Sequence, residues 1–159
     1  MERKLKIYLD TSVINFLYAD DAPEKKEVTI DFFDNYLDKY EAFISEYVIV
    51  EINRTESDEK REKLNNAIKK YKLRIYSQSN DTILEMANNY IEKGILPESK
   101  LDDALHIAFS TYFEFDILLS WNFKHLANIN KQEKVNTVNS SLGYRKILLM
   151  LNPMEVVYE

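Results

Sequence analysis

Three carboxylates, Asp10, Glu51 and Asp103, lie where they can take part in chemistry. Asp10 directly follows the apolar run KLKIYL, and Glu51 interrupts the apolar stretch YVIVEI. An unpaired charge is costly to bury, so a carboxylate in an apolar stretch indicates a partner. Converging carboxylates would repel one another unless a cation lay between them, and hard oxygen ligands suit Mg²⁺ or Mn²⁺. Such ions activate water and stabilise the charge that develops when a phosphodiester is cleaved.

Each of these acids also has a purely structural interpretation. Asp10 stands where the N-cap of a helix would stand. Glu51 is also explained by an exposed position on its helix or by a pair with Arg54. Asp102 and Asp103 open the segment LDDALHIAFS, where the helix dipole favours acidic residues. These two neighbours lie about 100° apart around a helix, so at most one of them faces a site.

Other kinds of chemistry lack their motifs in this sequence. It contains no HExxH, no glycine-rich phosphate loop and no nucleophile elbow. There is no cysteine, which excludes disulfides and thiolate metal sites. The segment LDTSV lacks the second Asp that a phosphoaspartate enzyme would need. The acidic residues are therefore the only set in the sequence that indicates a catalytic site.

Length and composition predict a single domain over residues 1–159, because 45% of the residues are hydrophobic. The net charge of −6 by itself disfavours nucleic acid as a partner. Cations bound between converging carboxylates would neutralise part of that charge. The opening MERKLKIYLDTS lacks the apolar stretch of a secretory signal, and no apolar run is long enough to span a bilayer. We therefore expect a cytoplasmic protein with no membrane contact.

Hydrophobic periodicity predicts an α/β fold with a mostly parallel central sheet of about five strands and helices on both faces. The predicted strands cover residues 4–9, 42–44, 73–76, 117–119 and 146–151. The predicted helices cover residues 13–18, 25–40, 46–54, 57–71, 81–93, 101–113, 123–127 and 135–142, with Thr11 or Ser12 capping the first. In such a sheet, ligands bind at the carboxyl ends of the strands, which is where Asp10 lies.

Four segments resemble, in this order, the motifs of PIN domains, a family that includes ribonuclease toxins of the VapC kind: YLDTSVINFLY, ISEYVIVEI, LDDALHIA and LLSWNFKHLAN. The tail VNTVNSSLGYRKILLMLNPMEVV is similar to PIN proteins as well, so the resemblance covers nearly the whole chain. It implies a three-layer α/β/α fold with three or four acids at one end of the sheet. Those acids would bind Mg²⁺ or Mn²⁺.

The resemblance also implies a role for each matching residue. The first acid of the family matches Asp10, with Thr11 or Ser12 assisting beside it. The second acid matches Glu51, because the spacing from Ser45 to this glutamate is that of the family.

The remaining two positions differ in how well they match. The third acid matches Asp103, through DALHIA, whereas the fourth position, commonly an Asp after the fourth strand, is Asn122 here. An amide oxygen can ligate a metal or hold a metal-bound water, but it removes one negative charge. The resemblance thus implies one metal on Asp10 and Asp103, with Glu51 partly through water and any second metal bound weakly. The helical phase of Asp102 argues against its replacing the missing charge.

Several further residues lie near the expected site. His106 has the pattern of a packed or capping histidine more than of a metal ligand. Trp121 and Phe123 flank the Asn122 position, and core packing explains them better than stacking on a base. Lys124 and His125 are candidates for contacts with phosphate.

The function implied by the resemblance is that of a Mg²⁺- or Mn²⁺-dependent endoribonuclease. It would be the toxin of a toxin–antitoxin pair, inhibited by a partner protein that covers the acidic cleft, and PIN domains often form homodimers. The alternative is a PIN fold with weakened chemistry that serves as a binding or scaffold module. Asn122 and the acidic net charge favour that alternative, whereas the three retained acids favour the nuclease.

Overall fold

Residues 3–157 are described by the computed structural model, and within them five strands form one sheet. The strands are β1 (Lys6–Leu9), β2 (Glu41–Ser45), β3 (Arg74–Tyr76), β4 (Ile117–Leu119) and β5 (Leu149–Leu151). They lie in the order β3-β2-β1-β4-β5, and every neighbouring pair is parallel. The predicted α/β class with a parallel central sheet is confirmed.

Eight α-helices cover the sheet within the same residues. They are α1 (Thr11–Asn15), α2 (Pro23–Asp31), α3 (Glu46–Asn53), α4 (Asp58–Lys70), α5 (Asp81–Glu92), α6 (Leu101–Tyr112), α7 (Ile129–Ser141) and α8 (Pro153–Val157). Parallel strands are joined by right-handed crossovers. That rule places α1 to α4 on one face of the sheet and α5 to α7 on the other, which gives three layers. None of these helices is both long and apolar enough to cross a bilayer.

The winding of the sheet reverses between β1 and β4. From β1 the chain proceeds outwards to β2 and β3, then crosses back to β4 and β5 on the other side. In open α/β sheets the ligand crevice lies at this switch point, outside the carboxyl ends of the strands. Leu9 is the register partner of Leu119, so the next residues, Asp10 and Ser120, are neighbours at that crevice.

Aromatic packing beneath the crevice fixes α6 against β1. Tyr8, Phe109 and Phe115 are almost fully buried, with ring centroids 5.4 to 6.3 Å apart. Burial of each such side chain contributes roughly 1.5–3 kcal/mol. The position of α6, which carries Asp103 and His106, is therefore set by the core and not by a loop.

The outer edge of β5 is closed by side chains of α7. Gln132 accepts a hydrogen bond from the backbone N–H of Met150 (2.8 Å), and Asn136 pairs with both the N–H and the carbonyl of Leu148 (2.9 Å each). Unpaired edges invite association with other strands, so the amides of α7 take the place of a sixth strand. This arrangement requires α7 to extend to residue 132, which the predicted helix over 135–142 does not reach.

Two predicted helices near the site differ from the structure. The predicted helix over 123–127 is wrong, because these residues form turns in which Leu126 and Ala127 both donate to the carbonyl of Asn122. The helix predicted over 135–142 begins earlier, at Ile129, because the side chain of Asn128 accepts from two backbone N–H groups in the first turn.

Smaller differences lie elsewhere. The helix predicted over 25–40 is divided into α2, a π-helical turn (Phe32–Tyr36) and a 3₁₀ turn (Leu37–Lys39). The first and last strands are shorter at their beginnings than the predicted 4–9 and 146–151. Pro153 follows the last strand as predicted but also opens α8, because proline is well tolerated in the first turn of a helix.

Candidate active site

Asp10 lies at the carboxyl end of β1 and has two structural roles at once. Its Oδ1 accepts from the backbone N–H of Val13 (3.3 Å) and from Ser12 Oγ (2.5 Å), and its Oδ2 accepts from Ser120 Oγ (2.6 Å). The prediction that Thr11 or Ser12 caps α1 is wrong: Asp10 is the N-cap, because its extended backbone aims the carboxylate back at the helix. The cap position does not exclude a second role, since the bond to Ser120 crosses to the end of β4.

Two serines hold the edges of the crevice together. Ser12 Oγ donates to Asp10 and accepts from the backbone N–H of Trp121 (2.9 Å). Ser120 Oγ donates to the same carboxylate and accepts from the N–H of Asn122 (2.9 Å). The loop after β4 is thereby fixed to the beginning of α1.

The carboxylate of Asp10 is buried without a full counter-charge. Only 4% of the residue is exposed, and no lysine or arginine in residues 3–157 forms an ion pair with it. Burial raises the pKa of Asp10 above its ordinary value of 3.8, and the charge of Asp103 adds to this effect. The hydrogen bonds from the serines and the charge of His106 oppose that rise only in part.

Glu51 projects from α3 and is held by one of its two oxygens. Its Oε1 lies 3.0 Å from Thr11 Oγ1, which donates, and 2.5 Å from His106 Nε2. Arg54, the alternative partner considered for Glu51, forms its ion pair with Asp102 (3.1 Å), and its charge makes only the smallest contribution to lowering the pKa of Glu51. Burial acts to raise the pKa of Glu51, but the bonds from His106 and Thr11 bring it below its ordinary value.

His106 is a fully packed residue, as its sequence pattern indicates, and both of its ring nitrogens have partners. Its Nδ1 lies 2.6 Å from the hydroxyl of Tyr8, and that hydroxyl lies 2.6 Å from Ser45 Oγ. Burial acts to lower the pKa of His106, but the bond to Glu51 and the nearby acids raise it above the ordinary 6.5. His106 is therefore the group whose protonated form all three acids favour.

Asp103 faces the crevice, and Asp102 does not. Asp103 is half-buried and its Oδ2 accepts from Asn122 Nδ2 (3.2 Å), whereas the side chain of Asp102 is half exposed beside Arg54. Burial raises the pKa of Asp103, and the charges of Glu51 and Asp102 raise it further against the opposing effect of His106. The helical phase thus separates these two neighbours as the sequence predicts.

Asn122 points its two polar atoms in different directions. Its Nδ2 donates to Asp103, while its Oδ1 accepts from the backbone N–H groups of Lys124 (3.2 Å) and His125 (3.0 Å). The amide oxygen that was expected to hold a metal or its water is therefore engaged by the turn that follows. These two bonds have the same pattern as the cap at Asn128, yet residues 123–127 continue only as turns.

The residues that flank Asn122 divide between core and surface. Trp121 is buried, with its indole N–H donating to Thr29 Oγ1 (2.9 Å), which agrees with packing. Phe123 is 40% exposed and only partly packed: its ring lies edge-on to Trp121, with centroids 6.0 Å apart, and the ammonium of Lys25 lies 5.0 Å from its ring centre. Lys124 is exposed at the side of the crevice.

The carboxylate oxygens of the crevice are the type of ligand that a hard divalent cation prefers, but they do not form a complete coordination shell. Among residues 3–157, no group of three or more Asp, Glu, His or Cys side chains is close enough to hold a metal ion unaided. The raised pKa values of Asp10 and Asp103 nevertheless report negative charge that lacks compensation. One metal on Asp10 and Asp103, with Glu51 partly through water, remains a prediction.

The sequence interpretation did not single out two residues that complete this site. Ser120 stands directly after β4, and the rule that ligands gather at strand ends would have indicated it. Tyr8 is an inward-facing tyrosine of β1, and a buried phenol normally requires a hydrogen-bond partner. Its particular partner, His106, lies 98 positions away along the chain.

The fold is similar to a solved structure, whereas the sequence by itself matches no family model and no curated protein. One such structure is a chain of VapBC2 from Rickettsia felis bound to a DNA fragment from their promoter. The TM-score is 0.57 at 15% sequence identity, and the match covers 93% of this chain and 98% of the other. At this level of identity the similarity establishes a shared fold.

Proposed function

We propose that this protein is a Mg²⁺- or Mn²⁺-dependent endoribonuclease with a PIN-type active site. The observation that carries the proposal is the convergence of Asp10, Glu51 and Asp103 from β1, α3 and α6 at the switch point of the sheet. The charges of these acids act on one another, and His106 acts on all three. Like charges gathered in a partly buried crevice are typical of a functional site.

Each side chain has a task in this proposal. Asp10 and Asp103 would hold the cation, which when bound would activate water and stabilise the charge of the cleaved phosphodiester. Glu51, held at Oε1, offers its Oε2 to a water or to the metal shell. Asn122 holds Asp103 in place through Nδ2.

A basic flank beside the acids supports an RNA substrate in spite of the acidic net charge. His125 is buried, which lowers its pKa, and the positive charges of Lys124, Lys131 and Lys100 lower it further. The charges of these lysines act on His125, whose backbone N–H donates to Asn122 at the edge of the crevice. Lysines in this position would contact phosphates on either side of the cleaved bond.

The similar fold in VapBC2 supports a toxin–antitoxin role. We propose that a partner protein covers the crevice and suppresses cleavage, in the cytoplasm where the RNA is found. A homodimer is compatible with this proposal and is common in the PIN family. The second candidate function, a binding or scaffold module with weakened chemistry, is favoured by the engaged amide oxygen of Asn122.

The deciding experiment is cleavage of a structured, end-labelled RNA with Mn²⁺, with Mg²⁺ and with EDTA. We expect cleavage by the wild type with either metal, and loss of cleavage in Asp10→Asn and in Asp103→Asn. Asp102→Asn is the matched control, because this neighbour of Asp103 lies outside the crevice and should leave cleavage unchanged. If the folded wild type cuts no RNA under these conditions, the nuclease proposal is rejected in favour of the binding or scaffold module.

A further inference from the structure

A buried chain of polar groups runs from the middle of the protein to Glu51. It begins at Ser45 at the end of β2, passes through the hydroxyl of Tyr8 on β1 and the ring of His106 on α6, and ends at Oε1 of the glutamate. The three contacts measure 2.6, 2.6 and 2.5 Å. Ser45, Tyr8 and His106 are at most 1% exposed, so water does not compete for these bonds.

The chain of bonds is complete whether His106 carries one ring proton or two. An ionised Glu51 can only accept, so the proton between it and the ring belongs to Nε2. In the neutral ring, Nδ1 accepts from Tyr8 and the phenol accepts from Ser45. In the charged ring, Nδ1 donates to Tyr8 and the phenol donates to Ser45. The link from Nε2 to Glu51 is the same in both cases.

Only one oxygen of Glu51 is engaged by this chain. Both Thr11 Oγ1 and His106 Nε2 bond to Oε1, and no donor within residues 3–157 bonds to Oε2. From this geometry we infer that Tyr8 and His106 are positioning residues. They fix the rotation of the Glu51 carboxylate so that Oε2 stays free for a water or cation in the crevice.

This inference rests on the proposed nuclease function, because Oε2 matters only if the crevice acts on a substrate. Polar groups behind a ligand orient it, and their removal lowers metal affinity or activity by about 10- to 100-fold. The Tyr8 ring also packs against Phe109 and Phe115. The experiment must therefore separate the effect of the hydroxyl group from the effect of ring packing.

The first test compares two tyrosines that each lose one buried hydroxyl. Tyr8→Phe keeps the ring in the core and breaks the chain behind His106. Tyr90→Phe is the matched control, because its fully buried hydroxyl donates to Asn139 (2.5 Å) at a place remote from the acids. We expect kcat to fall about tenfold in Tyr8→Phe with KM for RNA unchanged, and both constants to stay the same in Tyr90→Phe. Equal kcat in the two folded variants would overturn the inference.

The second test uses two replacements of His106 that preserve different halves of the ring. Gln can place its amide N–H near the position of Nε2, whereas Asn reaches only as far as Nδ1. We expect His106→Gln to retain more kcat and to bind Mn²⁺ more tightly than His106→Asn, with Mn²⁺ binding followed by electron paramagnetic resonance. Two folded variants with the same kcat and the same Mn²⁺ affinity would mean that the ring serves packing alone.

A third readout needs neither metal nor substrate. In the metal-free wild type, the Nε2–H proton of His106 should give a nuclear magnetic resonance signal protected from exchange. The signal should exchange faster with water in Tyr8→Phe, where the ring loses its bond at Nδ1, than in Tyr90→Phe. If the wild type cleaves no RNA while this pattern is observed, the nuclease proposal fails, and the inference that Tyr8 and His106 position Glu51 still holds. If exchange is equally slow in Tyr8→Phe and Tyr90→Phe, the positioning role of Tyr8 fails whatever the cleavage result.

Discussion

Two aspartates at opposite ends of the sheet have almost the same burial and opposite electrostatics. Asp10, at the carboxyl end of β1, is 4% exposed, and Asp116, just before β4, is 9% exposed. Asp116 accepts from Lys146 (2.6 Å), Arg3 (3.2 Å) and the backbone N–H of Lys6 (2.8 Å). Burial acts to raise the pKa of Asp116, but these donors bring it below its ordinary value, whereas the pKa of Asp10 is raised.

This difference in pKa distinguishes Asp116, a carboxylate that stabilises the fold through ion pairs, from Asp10, a carboxylate that remains available to bind a ligand. At the Asp116 end, two cations neutralise one acid. At the Asp10 end, three acids share His106 and accept neutral donors such as serine. A fold gains no stability from uncompensated buried charge, so such a group is a candidate for function.

The largest expected effect is on cleavage. Asp10→Asn should reduce RNA cleavage at least about 100-fold, since removal of one preorganised charge-stabilising group has an effect of that order. Asp116→Asn should retain cleavage when measured at a temperature where it is folded. Initial rates with Mn²⁺ at saturating RNA provide the measurement, and equal losses in the two variants would remove the distinction between the two ends.

The next effect is on stability at the Asp116 end. Asp116→Asn weakens the contacts with Lys146 and Arg3, and we expect a loss of about 2 kcal/mol in the free energy of unfolding. Asp10→Asn should lose less, because it also relieves repulsion from Asp103. Urea denaturation of the metal-free proteins would measure both values. A larger loss in Asp10→Asn would show that its hydrogen bonds outweigh its unfavourable charge.

A smaller effect is expected in the pH dependence of stability. The pKa of His106 is raised on folding. Its contribution to the free energy of unfolding is therefore full below the pKa in the unfolded chain, about 6.5, and is lost as the pH rises through the pKa in the folded protein. The metal-free wild type should therefore be less stable at pH 8 than at pH 6. His106→Gln has no titrating group here and should show a smaller difference in denaturation measured in EDTA. The same loss of stability between pH 6 and pH 8 in both proteins would show that His106 does not cause this pH dependence.

The smallest effect is expected on the basic flank. Lys124→Ala removes one exposed cation beside the crevice, and the slope of log affinity against log salt should decrease by about 1. Catalytic rate at saturating RNA should not change. Lys72→Ala, in the turn between α4 and β3, is a suitable control for the loss of one surface charge. Binding by catalytically inactive Asp10→Asn carrying each change would be measured across a salt series.

Local patterns predicted the elements that carry the acids. The apolar runs at residues 4–9 and 117–119, and the amphipathic helix over 101–113, are close to β1, β4 and α6. The phase of that helix also separated Asp103 from Asp102. Local patterns failed after β4, where residues 123–127 form turns in which Leu126 and Ala127 both donate to the carbonyl of Asn122, instead of the predicted helix.

The sequence by itself determined the alternation of strands and helices and the parallel sheet, because both depend on periodicity over a few residues. The tertiary structure alone decided the partners of Asp10 and Glu51. Glu51 bonds to His106, 55 positions away, and Asp10 bonds to Ser120, 110 positions away. Such bonds depend on how strands and helices from distant parts of the chain pack side by side, and no local spacing encodes that geometry.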